Sequence, residues 1–85
     1  MEIKLEHFLH DLIWLIKEDY NESLDRLAAA ESDTEKAFEE GQSAAYHHVL
    51  ATITSQLSAF GAAEEMYKGI EPKLGQKAEM KKASF

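Results

Sequence analysis

The chain has 85 residues, of which 29% are charged, and its formal net charge is −7 at pH 7. This length allows one small domain, and such a chain buries only about 60% of its unfolded surface, so small domains often gain stability by oligomerisation. The absence of cysteine excludes disulfides and thiolate metal sites and fits a reducing compartment.

The charge is unevenly distributed along the chain. Residues 1–65 hold four basic and fourteen acidic side chains, whereas residues 66–85 hold five lysines and two glutamates. An acidic body repels phosphate, which argues against a nucleic-acid partner; a weaker hypothesis is that the lysine-rich end contacts an acidic surface. The start lacks the basic and then apolar order of a secretory signal, so we expect a soluble, cytoplasmic protein.

The first predicted element is a helix from about residue 3 to about residue 30. Its apolar residues cover about half of a helical wheel, a face too wide for a single partner helix. We therefore expect this helix to touch two or three neighbours, as in a four-helix bundle. The face consists of Leu5, Phe8, Leu9, Leu12, Ile13, Leu15, Ile16, Tyr20, Leu24 and Leu27.

A capping-box pattern marks the start of the second helix. Ser32 is followed three residues later by Glu35, the spacing at which a serine and a glutamate satisfy free amides at a helix N-terminus. Only a few residues separate this cap from the first helix, and short connections place consecutive helices side by side and antiparallel. The sequence therefore predicts a helical hairpin.

The second helix is predicted from about residue 33 to about residue 60 and is expected to be the central element of an assembly. Residues 42–63 contain no charged side chain, which is typical of a helix covered on more than one side, and their polar groups would be expensive in lipid. The predicted core-facing stripe is Phe38, Ala45, Val49, Ile53 and Phe60, flanked by Tyr46, Leu50 and Leu57. A second stripe consists mainly of small residues, Gly41, Ala44, His48, Ala51, Ser55, Ser58 and Ala62, and predicts close approach of another helix.

Regular structure is expected to weaken after the second helix. A short helical segment is predicted at about residues 62–68, and Gly69, Pro72 and Gly75 then interrupt the pattern. We therefore expect one helical hairpin domain over residues 1–72. Residues 73–85 are predicted to be a flexible, lysine-rich tail.

The predicted fold class is all-α, an antiparallel helical hairpin completed to a four-helix bundle by dimerisation about a twofold axis. A hairpin alone would leave both the wide face of the first helix and the small-residue stripe of the second uncovered. The predicted partner is therefore a second copy, as a homodimer or tetramer, with another protein as the other possibility. The predicted oligomer interface comprises Gly41, Ala44, His48, Ala51 and Ser55 with Leu12 and Ile16; His48 is expected near the twofold axis.

Two features of the first helix invite other interpretations. Trp14 lies away from the main apolar face, so it either packs under the C-terminal segment or an oligomer contact, or anchors a partner protein. His7, His10 and Asp11 share part of the helix, but the spacings of zinc and di-iron helices are absent. We expect no metal and no cofactor. No nucleophile is presented on a loop and there is no glycine-rich phosphate cradle, so we do not expect an enzyme.

The run Phe38-Glu-Glu-Gly41-Gln-Ser-Ala-Ala45-Tyr46-His-His-Val49-Leu50, continued at Gln56, Leu57, Phe60 and Gly61, resembles the second helix of small two-helix proteins of Gram-positive bacteria. The likeness covers about thirty residues, mainly helix-packing positions, and implies a self-associating helical hairpin without an assigned activity. Two functions stay open: a homo-oligomeric protein-protein interaction or regulatory module, and a small-molecule or metal-binding bundle. For the second, the candidate sites are Tyr46 with His47 and His48, or the surroundings of His7 and Trp14.

Overall fold

The computed structural model describes residues 4–80, and these form two long helices and one short helix with no strand. Helix α1 spans Leu5–Ala29, α2 spans Asp33–Ala59 and α3 spans Glu64–Tyr67. The two long helices pack against each other as an antiparallel hairpin, which confirms the all-α prediction. No helix within the described range is both long enough and apolar enough to cross a membrane.

The turn between the long helices has the predicted cap, with one difference. The Ser32 hydroxyl accepts a hydrogen bond from the Glu35 amide at 3.1 Å. The Glu35 carboxylate reaches back, but it accepts from the amide of Glu31 at 3.1 Å, one residue before the cap residue. Both bonds satisfy amides at the start of α2, where the helix itself supplies no acceptor.

The hydrophobic core contains residues from both ends of the described chain. Its buried apolar residues are Ile13, Tyr20, Leu50, Ile70 and Ala78. Half-buried residues packed against them are Leu9, Ile16, Leu24, Tyr46, Ile53, Leu57 and Tyr67. Because Ile70 and Ala78 lie beyond α3, the segment after that helix is a third layer of the core.

Residues 68–80, here called the C-terminal strap, run back over one side of the hairpin. Residues 73–80 belong to the stretch for which the sequence predicted a flexible tail, yet they are packed against α1. Residues 81–85 of that predicted tail lie outside the described residues. The strap has few apolar side chains and is fixed largely through its main chain, a mode of attachment that leaves little trace in the pattern of residue types.

The predicted core stripe of α2 is wrong at several of its positions. Phe38 is 60% exposed, Phe60 is 86% exposed and Val49 is also exposed, whereas Leu50 is fully buried. The buried side of α2 is turned by about 100° from this stripe and includes the polar residues Glu39 and Ser43. Ile53 of the stripe and the flanking residues Tyr46, Leu50 and Leu57 do pack in the core, so the apolar pattern is correct at the flank and wrong at the middle of the predicted stripe.

Both buried polar residues on α2 have partners. The Glu39 carboxylate accepts from the Arg26 guanidinium at 3.0 Å, an ion pair that joins the two helices near the turn. The Ser43 hydroxyl donates to the Glu40 carbonyl within its own helix at 3.0 Å. Their burial is possible because each polar group is satisfied.

Candidate interaction surfaces

The hairpin has two broad sides, and the strap covers one of them. On α1, Lys17, Asn21 and Asp25 each contact the strap. They stand four residues apart and so lie on one side of the helix. On α2, the ring of His47 also contacts the strap. These residues define the strap side of the hairpin.

Tyr20 is the centre of the strap side. Its side chain is fully buried, and its hydroxyl donates to the Gln76 carbonyl at 2.8 Å, with the Lys73 carbonyl as a second acceptor at 3.3 Å. The same hydroxyl accepts from the Gly75 amide at 3.0 Å. One phenol group thus satisfies main-chain groups of three strap residues. Gly75 has a φ of 89°, which fits glycine because it has no Cβ.

Two further side chains hold the strap by its main chain at either end. The Asn21 amide forms a pair of bonds with Ala78, donating to its carbonyl at 3.1 Å and accepting from its N–H at 2.8 Å. His47 Nε2 lies 2.7 Å from the Pro72 carbonyl oxygen. Since a carbonyl can only accept, the proton of this bond must be on Nε2.

Lys17 is buried beneath the end of the strap. Its ammonium group donates to the Glu79 carbonyl at 3.1 Å. Burial removes water from the charged amine and lowers its pKa below the ordinary value of 10.5, while the nearby Glu79 carboxylate opposes part of that shift. The strap therefore covers a lysine whose charged form is less favoured than in water.

One direct side-chain ion pair also joins strap and hairpin. Lys77 Nζ lies 2.6 Å from the Asp25 carboxylate, and both side chains are more than half exposed. An exposed pair of this kind contributes little to stability and is screened by salt. The main-chain bonds and the burial of Ile70 and Ala78 are therefore the principal attachments.

The opposite side of the hairpin carries exposed apolar residues. Successive residues of a helix are turned by about 100°, and on this basis the exposed apolar residues of α1 lie roughly opposite its strap side. Those of α2 lie roughly opposite His47. We call this surface the open face. It consists of Leu5, Phe8, Leu12, Leu15, Phe38 and Val49, of which Leu5 is 73% and Phe8 58% exposed. Within residues 4–80, no third layer covers it as the strap covers the other side.

A shallow cavity of about 530 Å³ lies at the turn end of the open face. Its walls include Phe38, Ala29 and Ala30, with Arg26 and Glu39 at its polar edge. The Arg26 and Glu39 side chains are already paired with each other. Because Phe38 belongs to both features, the cavity is part of the open face rather than a separate site.

The seven residues predicted for an oligomer interface fall in different places. Leu12 belongs to the open face, and Ile16 is half-buried against the core. The small-residue stripe lies along the edge of α2 turned away from Leu50, so these two groups do not form one patch. Along that edge Gly41, Ala44, His48 and Ser55 are exposed and Ala51 is half-buried. Their role in assembly stays a prediction.

The histidines and Trp14 have different surroundings in the described part of the chain. The Trp14 indole donates to the Glu18 carboxylate at 3.0 Å, and its role as a partner anchor stays a prediction. Within residues 4–80, no group of three or more His, Asp or Glu side chains could hold a metal ion. His47 contacts the strap whereas the adjacent His48 is exposed, so the two rings do not face a common site.

The sequence pattern did not predict the strap contacts, and it indicated the open face only in part. For the strap, the signal present in the sequence was the spacing of Ile70, Gly75 and Ala78, which becomes meaningful only when the positions of Tyr20 and Asn21 are known. For the open face, the wide apolar surface of the first helix did indicate more than one neighbour.

No family model matches the chain, and no curated protein or solved structure matches it. The resemblance to two-helix proteins of Gram-positive bacteria therefore stays a prediction.

Proposed function

We propose that this chain is a self-associating helical hairpin that acts as a protein-protein interaction or regulatory module, and that the open face is where a second copy binds. The observation that carries the proposal is an apolar surface that spans both long helices and lies opposite the strap. Two such faces related by a twofold axis would form a four-helix bundle.

The size of the open face supports a second copy as its occupant. A buried phenylalanine removes about 150–250 Å² from water. Two largely exposed phenylalanines and four aliphatic residues can therefore contribute several hundred Å² per copy. With the surrounding residues this approaches the roughly 800 Å² per partner of a stable interface.

The distribution of charge supports the same arrangement. Each copy carries a net charge of −7, so two copies repel unless the surfaces that meet are neutral. From Leu5 to Leu15 the open face of α1 carries apolar residues only, and residues 42–63 of the chain are uncharged. Depletion of charge is a property of the buried centres of protein interfaces.

Sedimentation equilibrium on two variants tests the proposal. Phe8→Glu places a carboxylate among the apolar residues that α1 contributes to the open face, and we expect it to be monomeric at concentrations where the unmodified chain is dimeric. His48→Glu places the same charge on the outer edge of α2 and is the matched control. Dimers that survive Phe8→Glu but dissociate with His48→Glu would reject the open face and favour the small-residue stripe. Circular dichroism establishes that each variant keeps its helices.

A further inference from the structure

The groove that holds the strap recognises main chain rather than side chains. The hydrogen bonds from Tyr20, Asn21, Lys17 and His47 all end on carbonyl or amide groups of strap residues. Ile70 and Ala78 are the two buried apolar residues of the strap. Any copy of residues 68–80 that follows the same path can form these contacts, whichever chain it belongs to.

Two glycine turns, one before the strap and one at its start, lie in the short path that leads from α2 into the groove. Gly61 and Gly69, with φ values of 82° and 86°, flank the four-residue helix α3. Glycine tolerates many backbone conformations, so these two positions allow the path after α2 to change without strain in a side chain. Exchange of an identical element between copies forms the same contacts that it breaks.

Charge complementarity makes the strap of another copy as suitable an occupant as the chain's own. Residues 1–65 hold fourteen acidic and four basic side chains, whereas the strap carries Lys68, Lys73 and Lys77 against Glu71 and Glu79. The acidic body of a second hairpin therefore attracts the strap, although the two bodies repel each other.

From these observations we propose that the groove is an exchangeable binding site, in which residues 68–80 of a second copy replace the chain's own strap and link the two molecules. The linkage uses the side of the hairpin opposite the open face. It therefore adds a second mode of association that does not depend on the proposed dimer. Exchange is concentration-dependent, because the tethered strap competes at an effective concentration in the millimolar range.

The contact between Lys77 and Asp25 provides a test on the unmodified chain. Their side chains lie 2.6 Å apart, so a carbodiimide can join them directly as an amide. An equal mixture of unlabelled and ¹⁵N-labelled chain is incubated, cross-linked and digested with a protease. Mass spectrometry then identifies the peptides that are joined through Lys77 and Asp25. A joined pair with one labelled and one unlabelled peptide comes from two different copies, as expected when the strap of one copy occupies the groove of another.

We expect mixed-label pairs to increase at least tenfold relative to same-label pairs between about 10 μM and about 1 mM chain. At complete exchange, mixed pairs would be as abundant as the two same-label species together. Same-label pairs alone at every concentration would overturn the proposal. Absence of any Lys77–Asp25 product would overturn it too, because the strap would then not occupy the groove.

Two variants separate this proposal from the open-face dimer. Phe8→Glu disrupts the open face, and mixed-label pairs should persist in it if the strap is exchanged. Loss of the mixed pairs in Phe8→Glu would show that they came from contact between dimerised chains. Lys77→Arg keeps the charge but removes the reactive amine, and it should abolish the joined peptide in both label states.

Discussion

At the scale of single residues, the Tyr20 hydroxyl joins more main-chain groups of the strap than any other side chain described. Removing it in Tyr20→Phe leaves the Gly75 amide and the Gln76 carbonyl without this partner in a partly buried setting. We expect the free energy of unfolding to fall by about 1–3 kcal/mol, the range for unsatisfied buried polar groups. Urea denaturation followed by circular dichroism measures the change.

Tyr46→Phe is the matched control for that prediction. Tyr46 packs half-buried against the same core, and among the described residues its hydroxyl forms no hydrogen bond. Its loss should change the free energy of unfolding by no more than about 0.5 kcal/mol. Equal effects of the two substitutions would show that the contacts of Tyr20 with the strap add nothing to stability.

Lys17 gives the fold a pH dependence with a definite sign. Its pKa is lowered in the folded chain, so between that value and the ordinary 10.5 the unfolded chain binds more protons. Stability should therefore rise with pH through this window, as the cost of burying the charged amine disappears. In Lys17→Met this rise should be absent.

Urea titrations of the unmodified chain and Lys17→Met at a series of pH values up to 10.5 test the Lys17 prediction. The difference between the two chains isolates Lys17 from other groups that titrate over the same range. A difference that is constant with pH, or that reverses sign, would contradict the burial of a charged amine under the strap.

At the scale of elements, two glycines are expected to respond to alanine in opposite ways. Gly75 has a φ of 89°, where a Cβ is unfavourable, so Gly75→Ala should destabilise the fold by about 1–2 kcal/mol. Gly41 lies inside α2 with open space around it, so Gly41→Ala should stabilise it by about 0.5–1 kcal/mol.

Thermal or urea unfolding of the two alanine variants measures whether each substitution lowers or raises the stability of the fold. For Gly41→Ala, sedimentation also measures whether assembly changes. If the small-residue stripe of α2 packs closely against another helix, the added methyl group will weaken assembly. Unchanged assembly is expected when copies meet through the open face. Stabilisation by Gly75→Ala would contradict the geometry of the strap.

The elements differ in how well the sequence predicts them. The two long helices could be predicted because apolar periodicity, a cap at Ser32 and Gly61 mark their extent within a few residues. The strap could not, because its attachment depends on main-chain atoms and on Tyr20 and Asn21, which are far away in sequence. The rotation of α2 was also missed, because buried Glu39 and Ser43 count as polar in any pattern.

At the scale of the whole molecule, the candidate interaction surface was predicted only in outline. The breadth of the apolar face on the first helix did indicate a further neighbour, and Leu12 of the predicted interface does lie on the open face. Which side of α2 is available for interaction becomes clear only from the position of the strap. The strap covers one side and leaves Phe38 and Val49 exposed on the other. The small-residue stripe is regularly spaced, but its spacing does not indicate which side of α2 is available.

The response of the assembly to salt follows from its charge. Each copy carries −7, and the open face is apolar, so salt screens repulsion between copies without weakening the contacts that join them. We expect the dimer dissociation constant to stay the same or fall as salt is raised from about 50 mM to about 1 M. Sedimentation velocity over this series measures it, and dissociation at high salt would indicate an interface of ion pairs instead.

Light scattering on a sizing column, over a range of concentrations, measures the molar mass of the unmodified chain in solution and so tests whether two copies associate. We expect a species of twice the 9.6 kDa chain mass that persists on dilution into the micromolar range. A folded chain that stays at the monomer mass at every concentration would contradict it. The open face would then have to be assigned to a different protein.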